Sequence, residues 1–159
     1  MITIYTDGSS RGNPGPGGWG AIVMDEVRAV ELGGREDHTT NNRMELMGAI
    51  KALEFAGTLD TLPIELYTDS EYVMKGMTEW IDGWQKRGWK TASKKPVLNQ
   101  DLWVELLRVS EGKEISWKYV AGHSGHDHNE RCDEIATSFA DDTSVTLYNG
   151  ARAEYKLEK

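Results

Sequence analysis

Four acids stand where a fold has little structural reason to put them. Asp7 ends the run Ile2-Thr3-Ile4-Tyr5-Thr6, and Asp69 ends Ile64-Glu65-Leu66-Tyr67-Thr68. Both runs are β-branched and aromatic, as strands are. Glu45 sits early in the amphipathic pattern that opens at Asn42, and Asp133 early in the one that opens at Asn129. Taken singly, each acid has an ordinary explanation. An Asp after a strand is commonly a turn or cap residue. Glu45 alone reads as a solvated helix residue, and Asp133 alone as a first-turn acid favoured by the helix dipole. Taken together, two strand ends and two helix starts aim four carboxylates at one point, where they repel unless cations lie between them. Carboxylate oxygens are hard ligands that select Mg²⁺ or Mn²⁺ over zinc or copper. Four acids can hold two such ions, one generating an attacking hydroxide and the other stabilising a leaving oxygen, which suits phosphodiester cleavage.

Other residues could serve the same chemistry. His123 lies between Gly122 and Ser124-Gly125, in a loop free to move, where it could exchange protons near a scissile phosphate or assist product release; the alternative is a surface-loop histidine. His123, His126 and His128 as a zinc site is a weak reading without cysteine nearby. The net charge is −8, yet residues 83–100 carry Lys86, Arg87, Lys90, Lys94 and Lys95 and no acid, hence +5 there and −13 on the rest. Trp80, Trp84, Trp89 and Trp103 cluster around that segment. Tryptophan interleaved with cations suits nucleic acid, the rings on sugars or bases and the cations on phosphates. The alternative is that the rings pack the protein's own helices, the role expected chiefly of Trp103. A basic patch on an acidic body implies binding that weakens steeply with salt. The glycine-rich stretch Gly12 to Gly18 lacks the Gly-Lys-Ser/Thr of a phosphate-cradling P-loop and reads as a turn that brings Asn13 close to a ligand.

The elements that must position these residues follow from periodicity. Residues 2–6, 19–24 and 27–32 read as strands of an antiparallel meander, the first two joined by the turn-rich loop 8–20 and the last two by Asp25-Glu26. Asn42 to Ala56 is a helix with Leu46, Ile50 and Leu53 in one stripe, and Glu45 shares a face with Ala49, Ala52 and Ala56. Small residues on that face let the helix lie close to a sheet. Residues 63–68 form a strand, with Ser70 capping the next helix; Asn99 caps a helix carrying Leu102, Trp103, Leu106, Leu107 and Val109; 114–120 alternates as a half-buried strand; and Asn129 caps a last helix packed through Cys132, Ile135, Ala136 and Phe139. Strands separated by helices favour parallel crossovers. The fold expected is therefore α/β, a mixed sheet with strands 1–3 antiparallel, later strands added in parallel, and helices on its faces.

Six strings carry a resemblance in order over residues 2 to about 140. They are Asp7-Gly-Ser, Gly12-Asn-Pro-Gly-Pro-Gly-Gly, Thr39-Thr-Asn-Asn-Arg-Met-Glu-Leu-Met, Tyr67-Thr-Asp-Ser, Lys86-Arg-Gly-Trp-Lys-Thr, and Gly122-His with Asn129-Glu-Arg-Cys-Asp-Glu. Together they closely resemble the type 1 ribonuclease H family of bacteria. The resemblance implies a five-stranded mixed sheet flanked by helices, and endonucleolytic cleavage of the RNA strand of RNA–DNA hybrids that leaves 5′-phosphate and 3′-hydroxyl ends. It implies Mg²⁺, or Mn²⁺ in its place, with two ions per site when substrate is bound. By motif match, Asp7, Glu45, Asp69 and Asp133 resemble the metal-binding catalytic acids and His123 the mobile loop histidine. Asn13, Asn41 and Asn42 resemble residues that read the minor groove of the hybrid. Thr40 resembles part of a pocket gripping a DNA phosphate. Residues 80–96, with Trp80, Trp84, Lys86, Arg87, Trp89, Lys90, Lys94 and Lys95, resemble the basic protrusion that lays the DNA strand against the protein. Glu71 stands near the scissile phosphate where a glutamine is frequent, and His38 near the phosphate pocket where arginine is often found.

Residues 1–142 are accordingly expected to form the catalytic domain, with 143–159 a C-terminal tail partly without structure. No hybrid-binding domain precedes Ile2, so little processivity on long hybrids is expected. The absence of an export signal, of any run approaching the ~18 apolar residues of a membrane span, and of a second cysteine beside Cys132 points to a cytoplasmic protein with no membrane partner. A monomer is expected. Competing readings are a non-catalytic hybrid-binding protein, a related two-metal nuclease with another substrate, and a structural cation-binding domain.

Overall fold

The computed structural model describes residues 1–59, 62–121 and 127–157. Its sheet has strands β1 (Ile2–Ser10), β2 (Gly15–Met24), β3 (Arg28–Thr39), β4 (Ile64–Thr68), β5 (Ile115–Tyr119) and β6 (Asn149–Ala151), in the spatial order β5-β4-β1-β2-β3-β6. β1, β2 and β3 pair antiparallel, and β4 and β5 add in parallel beside β1, as the sequence pattern requires. The helices are α1 (Asn41–Ala56), α2 (Glu71–Lys75), a π-turn (Gly76–Trp80), α3 (Ile81–Lys86), α4 (Gln100–Ser110) and α5 (Asp127–Ala140).

The sheet buries both faces. On one, Ile2, Ile4, Leu66 and Val23 pack with Leu46, Ile50 and Leu53 of α1 and with Trp103 and Leu106 of α4. Each such side chain, fully buried, contributes about 1.5–3 kcal/mol. On the other, Ile22, Met24 and Ala29 pack with Cys132 of α5 and with Tyr155. Glycine sets how closely the helices approach. A Cβ on Gly18 would lie 2.3 Å from the carbonyl oxygen of Ala136, and one on Gly20 2.6 Å from that of Cys132, so the backbone of α5 rests on β2 itself. A Cβ on Gly8 would lie 2.3 Å from the amide nitrogen of Glu45, so α1 meets β1 there.

Several expectations are corrected. The sheet has six strands, not five: β6 pairs antiparallel with the start of β3, Arg28 opposite Ala151 and Val30 opposite Asn149. Within the tail, this pairing and the buried Tyr155 attach residues 149–155 to the domain. The loop expected over 8–20 is largely strand, and β3 runs seven residues past Leu32, where the exposed Glu36, Asp37 and His38 hide the apolar alternation. Asn99 precedes α4 in a left-handed conformation (φ 60°) without a side-chain cap; its side chain instead donates to the Tyr72 hydroxyl at 3.0 Å. Asn129 lies within α5 rather than before it, and is buried. Ser70 does cap α2, its hydroxyl accepting from the Val73 amide at 3.1 Å.

The contact of α5 with bare backbone yields a test. Gly18→Ala is expected to cost about 1–3 kcal/mol by overpacking, seen in urea unfolding as a lower midpoint at unchanged slope; an unshifted midpoint means α5 does not lie against β2 there.

Candidate active site

Backbone pairing alone makes two of the acids neighbours. β1 and β4 are parallel with Thr6 opposite Thr68, so the next residues, Asp7 and Asp69, emerge side by side. Asp69 is held where the chain turns into α2, its flanks tied by Ser70 N–H donating to Thr68 Oγ1 at 3.1 Å and by the Ser70 cap. Glu45 arrives from α1, whose first turn is fixed twice. Thr40 Oγ1 accepts from the Arg43 amide at 3.2 Å, and the Arg43 guanidinium binds both carboxylate oxygens of Asp101 at 2.9 and 2.8 Å. Asp7, Glu45 and Asp69 each present an oxygen, all within 4.8 Å of one another. Asp133, on α5, is half-buried and stands outside that tight set, yet close enough for its charge to act on Asp7.

Electrostatics make this trio uncomfortable without a cation. Burial first, then the charge of Asp69, pushes the Asp7 carboxyl up to about 8; the Gly8 amide, donating to Asp7 Oδ1 at 2.9 Å, and a bond to Glu45 oppose the rise, and Asp133 adds to it. Glu45 is held well above the ordinary carboxylate range by burial, then by the charges of Asp7 and Asp69. Glu45 Oε1 and Asp69 Oδ1 are buried without a hydrogen-bond partner among the described residues. Orphaned hard oxygens at mutual distances that one ion can span are what a Mg²⁺ or Mn²⁺ site offers. The donor set therefore fits the metal that the sequence implied.

The other residues singled out by sequence fall into three groups. Asn13, Asn41 and Asn42 are exposed, Asn13 on the β1–β2 turn and the other two on the first turn of α1, next to the Thr40 that caps it. Lys86, Arg87, Lys90, Lys94 and Lys95 are all exposed along an arm closed by a bridge between Lys90 and Pro96 and by Arg87 Nε donating to the Lys90 carbonyl at 3.0 Å. Glu71 is exposed, 3.9 Å from Lys75. The tryptophans divide: Trp80 is 38% exposed, Trp89 is half-buried, and Trp103 is fully buried as expected. Trp84 corrects the reading of it as substrate-facing. It is buried edge-on against Trp103, ring centroids 5.2 Å apart, because α3 turns that side of its short helix to the core. His123 lies outside the described residues, as do the rest of 122–126.

Sequence reasoning missed Arg43 and Arg11 as positioning groups. Arg11 binds Asp141 with both nitrogens, at 2.6 and 2.7 Å, and so ties the Asn13 turn to the end of α5. Partners 58 and 130 residues away leave no local signal. A cavity of about 1000 Å³ lies elsewhere, between the tail and α5, lined by Glu31, Arg131, Tyr148 and Tyr155.

A mixed sheet flanked by helices, with a carboxylate cluster at the ends of adjacent parallel strands, defines an α/β protein built for metal-dependent work on phosphodiesters. The RNase H family profile matches residues 1–141, and the chain belongs to that family. A ribonuclease H of Cyanothece sp. is 58% identical over 138 residues, 86% of this chain and 87% of that one. The crystal structure of LC9-RNase H1, described as a type 1 RNase H with the type 2 active-site motif, is similar with a TM-score of 0.81 at 31% identity, over 94% of this chain and 77% of that one. LC11-RNase H1, solved in complex with an RNA/DNA hybrid, is similar with a TM-score of 0.68 at 26% identity, over 89% and 98% of the two chains.

The raised pKa of Asp7 gives a signed expectation. The folded protein keeps a proton on Asp7 up to about 8, while the unfolded chain releases it near pH ~4. The group's contribution to stability is thus complete below pH ~4 and lost as pH rises through 8. Asp7→Asn is therefore expected to raise the melting temperature of the cation-free protein at pH 8 and to change it little at pH 4. Thermal melts in chelator at both pH values measure this, and an unchanged melting temperature at pH 8 would show that the carboxylates do not repel.

Proposed function

We infer that this protein is a divalent-metal-dependent ribonuclease H, an endonuclease that hydrolyses the RNA strand of RNA–DNA hybrids to leave 5′-phosphate and 3′-hydroxyl ends. The observation that carries this reading is the buried carboxylate trio of Asp7, Glu45 and Asp69 within 4.8 Å, in a chain of the RNase H family. Asp7, Glu45 and Asp69 would hold Mg²⁺, with Mn²⁺ as a substitute, and Asp133 completes a set able to take two ions when substrate is bound. When bound, the ions supply a hydroxide nucleophile and charge stabilisation of the leaving oxygen.

The chain's own residues do the rest. Asn13, Asn41 and Asn42 sit on rigid turns braced by Arg11 and Arg43, where they can enter a minor groove. That groove is where the 2′-hydroxyl separates an RNA strand from a DNA strand. Thr40 and the α1 N-terminus offer hydrogen bonds to a backbone phosphate. Lys86, Arg87, Lys90, Lys94 and Lys95, with Trp80 and Trp89, form the surface for the DNA strand, reading its backbone and not its sequence. His123 would exchange protons near the scissile phosphate or assist product release. The protein acts as a monomer in the cytoplasm; no helix among the described residues is long and apolar enough to cross a membrane. A non-catalytic hybrid binder would need the basic arm but gains nothing from mutually repelling buried acids.

Asp7→Asn is expected to lower hybrid cleavage by at least about 10³-fold, in the range of losing a principal electrostatic group, while folding and most hybrid binding persist. The assay is a labelled hybrid beside duplex DNA and duplex RNA, with Mg²⁺ and with chelator; full activity of the variant would remove Asp7 from the mechanism. Neutralising Lys86, Arg87 and Lys90 together is expected to raise KM more than it lowers kcat and to flatten the salt dependence. An unchanged KM would show that the arm does not touch substrate.

A further inference from the structure

Asp133 is the acid whose position is least determined by the sheet. It rides on α5, and α5 lies on Gly18, Gly20 and Gly33, where a Cβ would come within 2.3–2.6 Å of Ala136 O, Cys132 O or the Phe139 ring. Such a surface allows close approach but offers few side-chain ridges to stop a helix rotating or sliding. The lock is on the far side. Glu31 of β3, almost fully buried, accepts from Arg131 Nε at 2.8 Å and Nη2 at 2.9 Å, from the Tyr148 amide at 2.9 Å and from the Tyr155 hydroxyl at 2.7 Å. Arg131 Nη2 also donates to the Thr146 carbonyl at 3.0 Å, and its Nη1 meets Glu134.

One turn earlier on the same face of α5, His128 stacks on Tyr5 (centroids 4.8 Å, 17° between planes) and leans on Tyr155 at 6.2 Å. Tyr5 stacks in turn on Tyr67 at 4.8 Å, and Tyr155 packs on Tyr148 at 4.9 Å. A column of five rings therefore runs from β4 through α5 into the tail. The tail is itself fixed to β3 by the β6 pairing and by Glu31 N–H donating to Tyr148 O at 2.8 Å. Arg131 and Asp133 are two residues apart, about 200° around the helix. Holding one against the tail therefore points the other towards the carboxylate trio.

We propose that the C-terminal tail is a latch that sets the rotation of α5, making Glu31, Arg131 and Tyr155 positioning residues for Asp133. This rests on the reading of Asp133 as a metal ligand. The test uses the full chain carrying Tyr155→Phe or Glu31→Gln, each made also in an Asp133→Ala background. Two quantities are read: Mn²⁺ affinity of the substrate-free protein by calorimetry, and kcat and KM on a defined hybrid. In the parent background, each variant is expected to weaken Mn²⁺ binding and lower kcat by about tenfold, the size typical of losing a partner that orients a ligand, with KM within twofold. In the Asp133→Ala background the same substitutions should change neither quantity. The latch is overturned if Mn²⁺ affinity and kcat stay within twofold of parent while only the melting temperature falls, or if the losses are equal with and without Asp133. Where Asp133→Ala abolishes turnover, Mn²⁺ affinity alone decides. Should Glu31→Gln fail to fold, Tyr155→Phe, which keeps the Glu31–Arg131 pair, carries the comparison. If Asp133→Ala alone leaves both quantities at parent level, the ligand reading of Asp133 fails instead.

Discussion

Mutual repulsion among buried carboxylates is the constraint to which the rest of this fold answers. Asp7, Glu45 and Asp69 present oxygens within 4.8 Å of one another, with Asp7 and Glu45 almost out of water. At such separations a pair of full charges repels by roughly 3–4 kcal/mol at an effective dielectric near 20. A domain of this size is stable by only about 5–15 kcal/mol. Apart from the bond between Asp7 and Glu45, nothing in the trio's own interactions would gather it. The protonation of Asp7 up to about 8 and the raised pKa of Glu45 are how the cation-free protein tolerates the site, by discharging it. A divalent cation bound there would replace those protons, which would make cation affinity and proton release two sides of one electrostatic balance.

The force that assembles the acids comes from elements with no charge at the site. Parallel pairing of β1 with β4 fixes Asp7 beside Asp69 through backbone hydrogen bonds. The approach of α1 to β1 at Gly8 brings Glu45 in, driven by burial of Leu46, Ile50 and Leu53. The two faces solve the same problem differently. α1 is interlocked by large apolar side chains and pinned at its start by Arg43 on Asp101. α5 rests on glycines and is fastened at its ends and flank by arginines: Arg131 on Glu31, Arg11 on Asp141, and Arg35 donating to the Phe139 and Ala140 carbonyls at 2.9 and 2.6 Å. The last of these satisfies carbonyls that every helix end leaves open.

Charge is segregated at a larger scale by the same logic. An acidic cluster repels a polyanion unless cations and a basic surface offset it. The arm carries +5 within eighteen residues while the remainder carries −13. Long-range attraction for a polyanion is therefore concentrated on the arm and not spread over the acidic body. Trp84 shows how that arm stays rigid. Its ring, buried against Trp103, roots the lysines in the core, and Trp80 tilts over it at 5.8 Å.

What was legible in the sequence is what is local. Tyr5-Thr6-Asp7 and Tyr67-Thr68-Asp69 announce strands ending on acids, Ser70 announces its cap, and the alanines of α1 announce a helix lying close to a sheet. What was not legible depends on partners far along the chain. Asn99 looks like a cap, but Tyr72 takes its amide and the backbone goes left-handed. The span 36–38 is polar and exposed, and only the pairing of Glu36 and Thr39 with β2, across a break in register, carries the strand through it. The tail looks weakly patterned because β6 is three residues long and its anchor, Tyr155, is a single ring. Glu31 is the sharpest case: an acid in a strand, yet among the least exposed carboxylates here. Burial drives its pKa up, but Arg131, the Tyr148 amide and the Tyr155 hydroxyl outweigh that and hold it below the usual value. Glu31 and Glu45 are both buried glutamates, but one is satisfied by four donors that hold its pKa down, while the other has an orphaned oxygen and neighbouring acids that hold its pKa up. That difference separates an acid that holds the fold from one left waiting for a ligand, and no composition or periodicity encodes it.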